Sequence, residues 1–351
     1  MLRAAMNTSE PSGKPGGGAA DARAAQAQAW ACSQLGLARS DFAPASADAS
    51  FRRYFRIRAD TRSWIVMDAP PERENCAPFL AVARLLRGWG LNAPEVLAED
   101  AARGYLLLSD LGTQTFLQAL TAETADGLMA DAIAALVRMQ AAAQRDPAGL
   151  ATLPGYDAAL LWREVRLFPE WYLPKHLQVA PGAAEASELE RVMGLLVKAA
   201  LAQPRTFVHS DYMPRNLMVS TPSPGILDFQ DAVVGPISYD PICLFKDAFL
   251  SWPEERVQGW LQQYWQQALA AGLPVPAAFP DFRRLCDWMG LQRHLKVLGI
   301  FARLTYRDGK AHYVADTPRF VRYVMDVAPR YPELAPLVAI FERHVLPAVK
   351  P

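Results

Sequence analysis

The chain has 351 residues, is 51% apolar, and carries 36 Lys+Arg against 36 Asp+Glu. That length allows one large two-lobed unit with a sizeable core. The zero formal net charge gives no support to nucleic-acid or anionic-membrane binding, where a basic excess is expected, and no obligate protein partner is indicated.

The four cysteines, Cys32, Cys76, Cys243 and Cys286, form no CxxC pair and have no His at metal-ligand spacing. They read as reduced thiols. The first 25 residues lack a continuous apolar signal region, and no window approaches the ~18 apolar residues of a membrane span. A cytoplasmic protein is the expectation.

Residues 1–20 are rich in Ala, Gly, Ser and Pro and read as a disordered tail. Residues 24–37 have helical composition. Residues 50–58 alternate as a strand, with 64–67 as its partner across the turn 59–62. After Pro70-Pro71, residues 76–89 form an amphipathic helix, followed by strands near 95–98 and 105–108. Residues 125–144, 160–171 and 184–202 then carry apolar residues at helical spacing. A strand island at 206–229 interrupts the helices, which resume at 254–271, 281–304 and 317–326. The order predicts an α+β, protein-kinase-like two-lobed fold. A small β-rich nucleotide-binding lobe (21–111) precedes a larger helical lobe (112–351) with an embedded catalytic hairpin and the acceptor site.

Chemistry concentrates in the strand island. An apolar strand, Thr206-Phe207-Val208, delivers His209, and Asp211 precedes Asn216 by five residues. Twelve residues later Ile226-Leu227-Asp228-Phe229 ends a second short strand in a carboxylate. Leu217-Met218-Val219 and Gly225-Ile226-Leu227 flank a turn, and this hairpin places Asn216 beside Asp228. Phosphoryl transfer asks a protein for positioning and charge neutralisation more than covalent chemistry. Mg²⁺ takes hard oxygen ligands, few of them from protein. Asn216 and Asp228 suit that metal, Asp211 suits the acceptor hydroxyl as base or orienter, and His209 suits a hydrogen-bonding role in the loop.

The set from His209 to Asp228 follows the order of kinase catalytic-loop and metal motifs. It resembles the aminoglycoside phosphotransferase and choline kinase superfamily, as does the extension Asp228-Phe229-Gln230-Asp231 through Gly235-Pro236 to Asp240. By that resemblance Asp240 braces the catalytic loop; Asp240-Pro241 also reads as N-cap and N1 of the next helix. Residues 50–56, 67–71, 227–232 and 292–301 are similar to those of the bacterial anomeric sugar kinases over roughly residues 25–340. This implies ATP- and Mg²⁺-dependent phosphorylation of the anomeric hydroxyl of an amino sugar, N-acetylmuramate or N-acetylglucosamine, in peptidoglycan recycling. Alternatives are a kinase of another small alcohol, such as an aminoglycoside or choline, or a nucleotide-binding pseudokinase module.

Two features depart from the kinase pattern. The phosphate-covering turn at 47–53 has no glycine, leaving Ser50 as a candidate phosphate contact. The usual strand lysine is missing near Met67 and Asp68. Arg52, Arg53 or Arg56 are candidate replacements, with solvated arginines on an edge strand as the competing reading, and Glu72 or Glu74 is the candidate carboxylate partner. Adenine is expected against Leu107, Leu108 and Leu111, with backbone hydrogen bonds around Ser109–Leu111. For the acceptor, Asp231, Arg293 and His294 are candidates, and Trp162 and Glu164 are weaker ones. Arg293 and His294 are expected on a polar helix face, in the cleft or in solvent.

Overall fold

A computed structural model describes residues 17–38, 40–46 and 51–349. Helix α1 (Gly17–Leu35) leads to strand β1 (Asp41–Ser46), the hairpin β2 (Arg53–Ala59) and β3 (Arg62–Asp68), helix α2 (Ala77–Gly88), and strands β4 (Val96–Asp100) and β5 (Tyr105–Ser109). Helices α3 (Phe116–Ala119), α4 (Ala125–Arg145), α5 (Pro147–Leu150) and α6 (Ala158–Val165) follow, then a π-helical stretch (Phe168–His176) and α7 (Ala183–Leu201). Strands β6 (Arg205–Val208), β7 (Leu217–Met218), β8 (Gly225–Ile226) and β9 (Val233–Pro236) precede helices α8 (Tyr239–Phe245), α9 (Glu254–Ala270), α10 (Phe279–Tyr306), α11 (Thr317–Val327) and α12 (Ala335–Ile340). No helix among the described residues is long and apolar enough to cross a membrane. Of the tail expected over 1–20, residues 1–16 lie outside the described residues.

The contacts divide the chain into two units, and the division passes twice through the catalytic segment. One unit runs from α1 to Ala135 and includes Pro214–Asp231; the other holds Leu136–Met213 and everything from Ala232 onward. The sequence-based boundary at residue 111 differs from this partition, which keeps α3, half of α4 and the β7–β8 hairpin with the sheet.

In the first unit the strands lie in the order β1-β2-β3-β5-β4, antiparallel throughout. Side-chain alternation sorts the two faces. Phe55, Ile57, Val66, Tyr105 and Leu107 pack on Ala27, Trp30 and Ala31 of α1. Each large apolar side chain so buried contributes about 1.5–3 kcal/mol. Tyr54, Arg56, Ile65 and Leu108 point the other way. Sequence patterning missed β1, whose Pro44 weakens the strand signal. Its Phe42 stacks on Phe55 at 4.6 Å, and β1 covers β2. The expected edge strand is therefore an interior one.

The second unit is built on α10. From Cys286 to Leu304 every residue of this helix is buried. Gly299 admits the backbone of Leu167, since a Cβ there would fall 2.3 Å from the Leu167 carbonyl carbon. Strands β6 and β9 pair antiparallel from Arg205↔Pro236 to Val208↔Val233.

Candidate active site

In the first unit, the β7–β8 hairpin pairs Leu217 with Ile226 and Met218 with Gly225. Gly225 sits in a crowded place: a Cβ would lie 2.9 Å from Ser220 Oγ and 3.0 Å from Leu111 Cδ1, so those side chains would have to move. The hairpin is fastened from outside. Ile226 N donates to Asn92 O (2.8 Å), Val219 N to Gln114 O (2.9 Å), and Asn92 Nδ2 to Ser220 Oγ (3.0 Å). Leu227 N donates to Asn216 O (2.9 Å), which aligns the two residues at the open end.

Asn216 Nδ2 donates to Asp228 Oδ2 at 3.3 Å, and Gln230 Nε2 donates to Asp228 Oδ1 at 2.8 Å. Asp228 has φ of 62°, the left-handed region that a non-glycine residue occupies at a cost of about 1–3 kcal/mol. The strain turns its carboxylate toward Asn216 at the end of a short strand. Phe229, the next residue, is fully buried against Phe79 of α2 at 4.9 Å.

These residues border a cavity of about 320 Å³ wholly within this unit. Asn216 and Asp228 line it together with Tyr54, Ile65, Leu108, Met218 and Leu227. The arrangement is one apolar slot with hard oxygen donors at one end, the form of a nucleotide-sized site. Ser109 and Leu111 line it as well, while Leu107 packs on α1 from the opposite face of the sheet. Arg215 also lines the cavity; sequence reasoning passed over it, although it adjoins Asn216.

The arginine candidates separate sharply. Arg56 donates from Nε (2.6 Å) and Nη2 (3.1 Å) to the two oxygens of Asp110, and to Gly112 O (2.6 Å). Arg53 holds Asp68 through Nε (3.0 Å) and Nη2, and Arg23 holds the other oxygen of Asp68 at 2.6 Å. A fully buried acid thus stands where a lysine was sought. Arg52 Nε pairs with Glu74 Oε2 at 3.1 Å, and Phe51 N donates to Glu74 Oε1 at 3.2 Å. Ser50 lies outside the described residues.

In the second unit β6 delivers His209, Ser210 and Asp211, all buried. Asp240 accepts from His209 N (2.7 Å) and Ser210 N (3.1 Å), and Asp211 N donates to His209 Nδ1 (3.3 Å). Ser210 is held at φ 79° within this mesh. Burial pushes the Asp240 carboxyl up to about 7, against the two backbone donors and the Arg293 charge. Asp240 is not the helix cap expected from Asp240-Pro241: Ser238 holds that position, and Asp240 sits inside the first turn of α8. Its carboxylate is taken by the loop instead.

The solvent alternative for Arg293 and His294 fails, because α10 has no polar face. Arg293 is 1% exposed and donates to Lys246 O (3.1 Å) and Cys243 Sγ (3.2 Å). His294 packs between Phe320 and Tyr323, and burial pushes its pKa well down, so the ring is neutral. Glu164 is likewise internal, accepting from Tyr156 Oη, from Lys296 Nζ (3.1 Å) and from Gln292 Nε2 (3.4 Å). Lys296 also donates to Tyr239 Oη at 2.8 Å. The Arg166 guanidinium covers the ring of Trp162. Asp231 is half-buried in the turn before β9.

Residues 41–288 match the phosphotransferase enzyme family. The chain belongs to that family. A relative from Pseudomonas putida named N-acetylmuramate/N-acetylglucosamine kinase is 57% identical over 293 residues, covering 84% of this chain and 85% of the relative. The protein of the same name from Pseudomonas aeruginosa is 54% identical over 298 residues, covering 85% and 87%. Among solved structures, an ADP-bound aminoglycoside phosphotransferase aligns with a TM-score of 0.58 at 13% identity, covering 85% of this chain and 97% of the other. That likeness establishes the kinase-like fold anticipated from the order of elements. This phosphotransferase is therefore an enzyme that transfers a phosphoryl group to an alcohol, as its catalytic segment implied.

Proposed function

We propose that this phosphotransferase moves the γ-phosphoryl group of ATP to the anomeric hydroxyl of an N-acetylated amino sugar, N-acetylmuramate and/or N-acetylglucosamine, in peptidoglycan recycling. The observation that carries the reading is 57% identity across most of the chain to a kinase named for those two sugars. The anomeric position rests on the sequence resemblance. The reaction belongs in the cytoplasm, the compartment that supplies ATP.

In this reading the base packs in the apolar slot between Ile65, Leu108, Met218 and Leu227, with the backbone of Ser109–Leu111 at its edge. Asp211 accepts a hydrogen bond from the acceptor hydroxyl and aims it in line with the γ-phosphorus. Its loop is pre-set by Asp240, so little reorganisation accompanies the reaction. Asn216 and Asp228 offer one amide oxygen and one carboxylate, the donor set that suits Mg²⁺, which takes few protein oxygens and the rest from phosphate and water. When bound, that ion neutralises phosphate charge. Gln230 orients the Asp228 carboxylate for the role. On the acceptor side Asp231, Arg293 and His294 remain the proposed contacts.

The test is an acceptor panel read by ADP release, with N-acetylmuramate, N-acetylglucosamine, choline and an aminoglycoside. Turnover on the amino sugars, giving an acid-labile and alkali-stable phosphate, is the expected result. Turnover on choline or the aminoglycoside alone overturns the acceptor assignment. ATP binding without turnover on any of the four favours a binding module.

A further inference from the structure

A nucleoside triphosphate carries more negative charge than one divalent ion offsets, and Asp228 adds to it. A fixed protein cation is needed toward the Asp228 end of the cavity, and residues 52–58 carry four arginines, of which Arg58 is exposed. Two are engaged by other partners, Arg56 at the wall of the cavity itself. Arg53 spends two nitrogens on Asp68, and Arg56 spends its guanidinium on Asp110 and Gly112 O.

Arg52 differs in place and in partner. It stands immediately before β2 and continues the alternation of Tyr54 and Arg56, which line the cavity with Asp228. Its side chain is 10% exposed, and Glu74 holds it through Nε. Glu74 is fixed in turn by the Phe51 amide, and α2 just beyond it is packed through Phe79 onto Phe229, next to Asp228. Burial lowers the Arg52 pKa, but Tyr54, Glu74 and Asp228 outweigh it and hold the guanidinium above its ordinary range. The group is charged, and Asp228 lies within its field.

We propose that Arg52, clamped by Glu74, is the cation that takes the nucleotide's α- and β-phosphates in place of the missing strand lysine. The inference rests on the kinase reading above. A planar guanidinium engages two phosphate oxygens at once, where an ammonium acts as a point charge.

Calorimetric titration of the full chain with Mg²⁺-ADP and with adenosine tests it. Arg52→Ala is expected to weaken ADP binding about 10- to 100-fold, the worth of charged hydrogen bonds, and to leave adenosine affinity within about twofold. Arg52→Lys keeps the charge and is expected to lose about tenfold or less; Glu74→Gln falls between wild type and Arg52→Ala. If Arg52→Ala does not fold, Arg52→Lys decides. ADP affinity unchanged in both Arg52 variants overturns the assignment, and an equal loss for adenosine and ADP makes Arg52 a scaffold residue and overturns it too. A wild-type protein that binds neither ligand brings down the kinase reading itself.

Discussion

The two units handle charge in opposite ways. In the sheet-bearing unit, ionic groups form discrete pairs, Arg52 with Glu74, Arg53 and Arg23 with Asp68, Arg56 with Asp110, the last of them lining the apolar slot. These pairs tie β2 to β3, α1 to β3, and β2 or the segment before it to neighbouring loops. In the helical unit the best-buried pair is wholly inside. Lys296 and Glu164 are 2% and 0% exposed and share their hydrogen bonds with two tyrosines and a glutamine. Strands can divide polar from apolar by alternation alone. A helix packed on all sides cannot, so its polar residues must find partners in the core. The first arrangement suits a surface that must meet a charged ligand; the second ties α6, α8 and α10 together.

The largest expected effect is at the residue proposed to aim the acceptor hydroxyl. Asp211→Asn should lower turnover about 10²- to 10⁴-fold, the usual range for losing a positioned acid–base group, with melting temperature little changed. Turnover near wild type would remove Asp211 from the reaction.

Next comes the internal ion pair. Lys296→Met leaves Glu164 buried without its cation and should cost about 3–5 kcal/mol in urea unfolding. Replacing both, Lys296→Met with Glu164→Leu, should cost less than the single change. A single substitution costing under about 1 kcal/mol would show that the helical unit does not depend on its internal charges.

A smaller effect follows from pH. Asp240 has its carboxyl pushed up to about 7 in the folded protein, against roughly 3.9 in an unfolded chain. Between those values the folded state holds the extra proton, so this contribution is complete below about pH 4 and fades as pH rises through about 7. Melting temperature followed from pH 5 to 8 should decline less steeply in Asp240→Asn than in wild type. Parallel profiles would show that Asp240 does not titrate there.

The smallest effect is expected at the periphery of the sheet. Arg84 and Glu99 form a pair at 3.2 Å with both side chains largely in solvent. Arg84→Ala should change stability by less than about 1 kcal/mol. A larger loss would erase the contrast between rim and interior.

Legibility in the sequence followed the same divide. The β2–β3 hairpin and α2 were readable because alternation and helical spacing report a buried face, and β5 because it is a short continuous apolar run buried on both sides. Asn216 and Asp228 were readable as neighbours because a short hairpin fixes its open end within a few residues of sequence. The solvent alternative for Arg293 and His294 failed because periodicity has no answer for a helix segment buried all round. The partner of each arginine was equally hidden: Asp110 lies 54 residues from Arg56, and Asp68 receives Arg23 from 45 residues away.

By itself the sequence determined the kinase-like order of elements, the meeting of Asn216 with Asp228 and the loss of the strand lysine, all properties of local pattern and spacing. Tertiary structure alone decided that β1 covers β2, that Asp240 serves the loop and not its own helix, and which carboxylate claims each arginine. Those outcomes depend on packing between distant segments, where burial leaves a charged group no alternative to the partner the fold brings within reach.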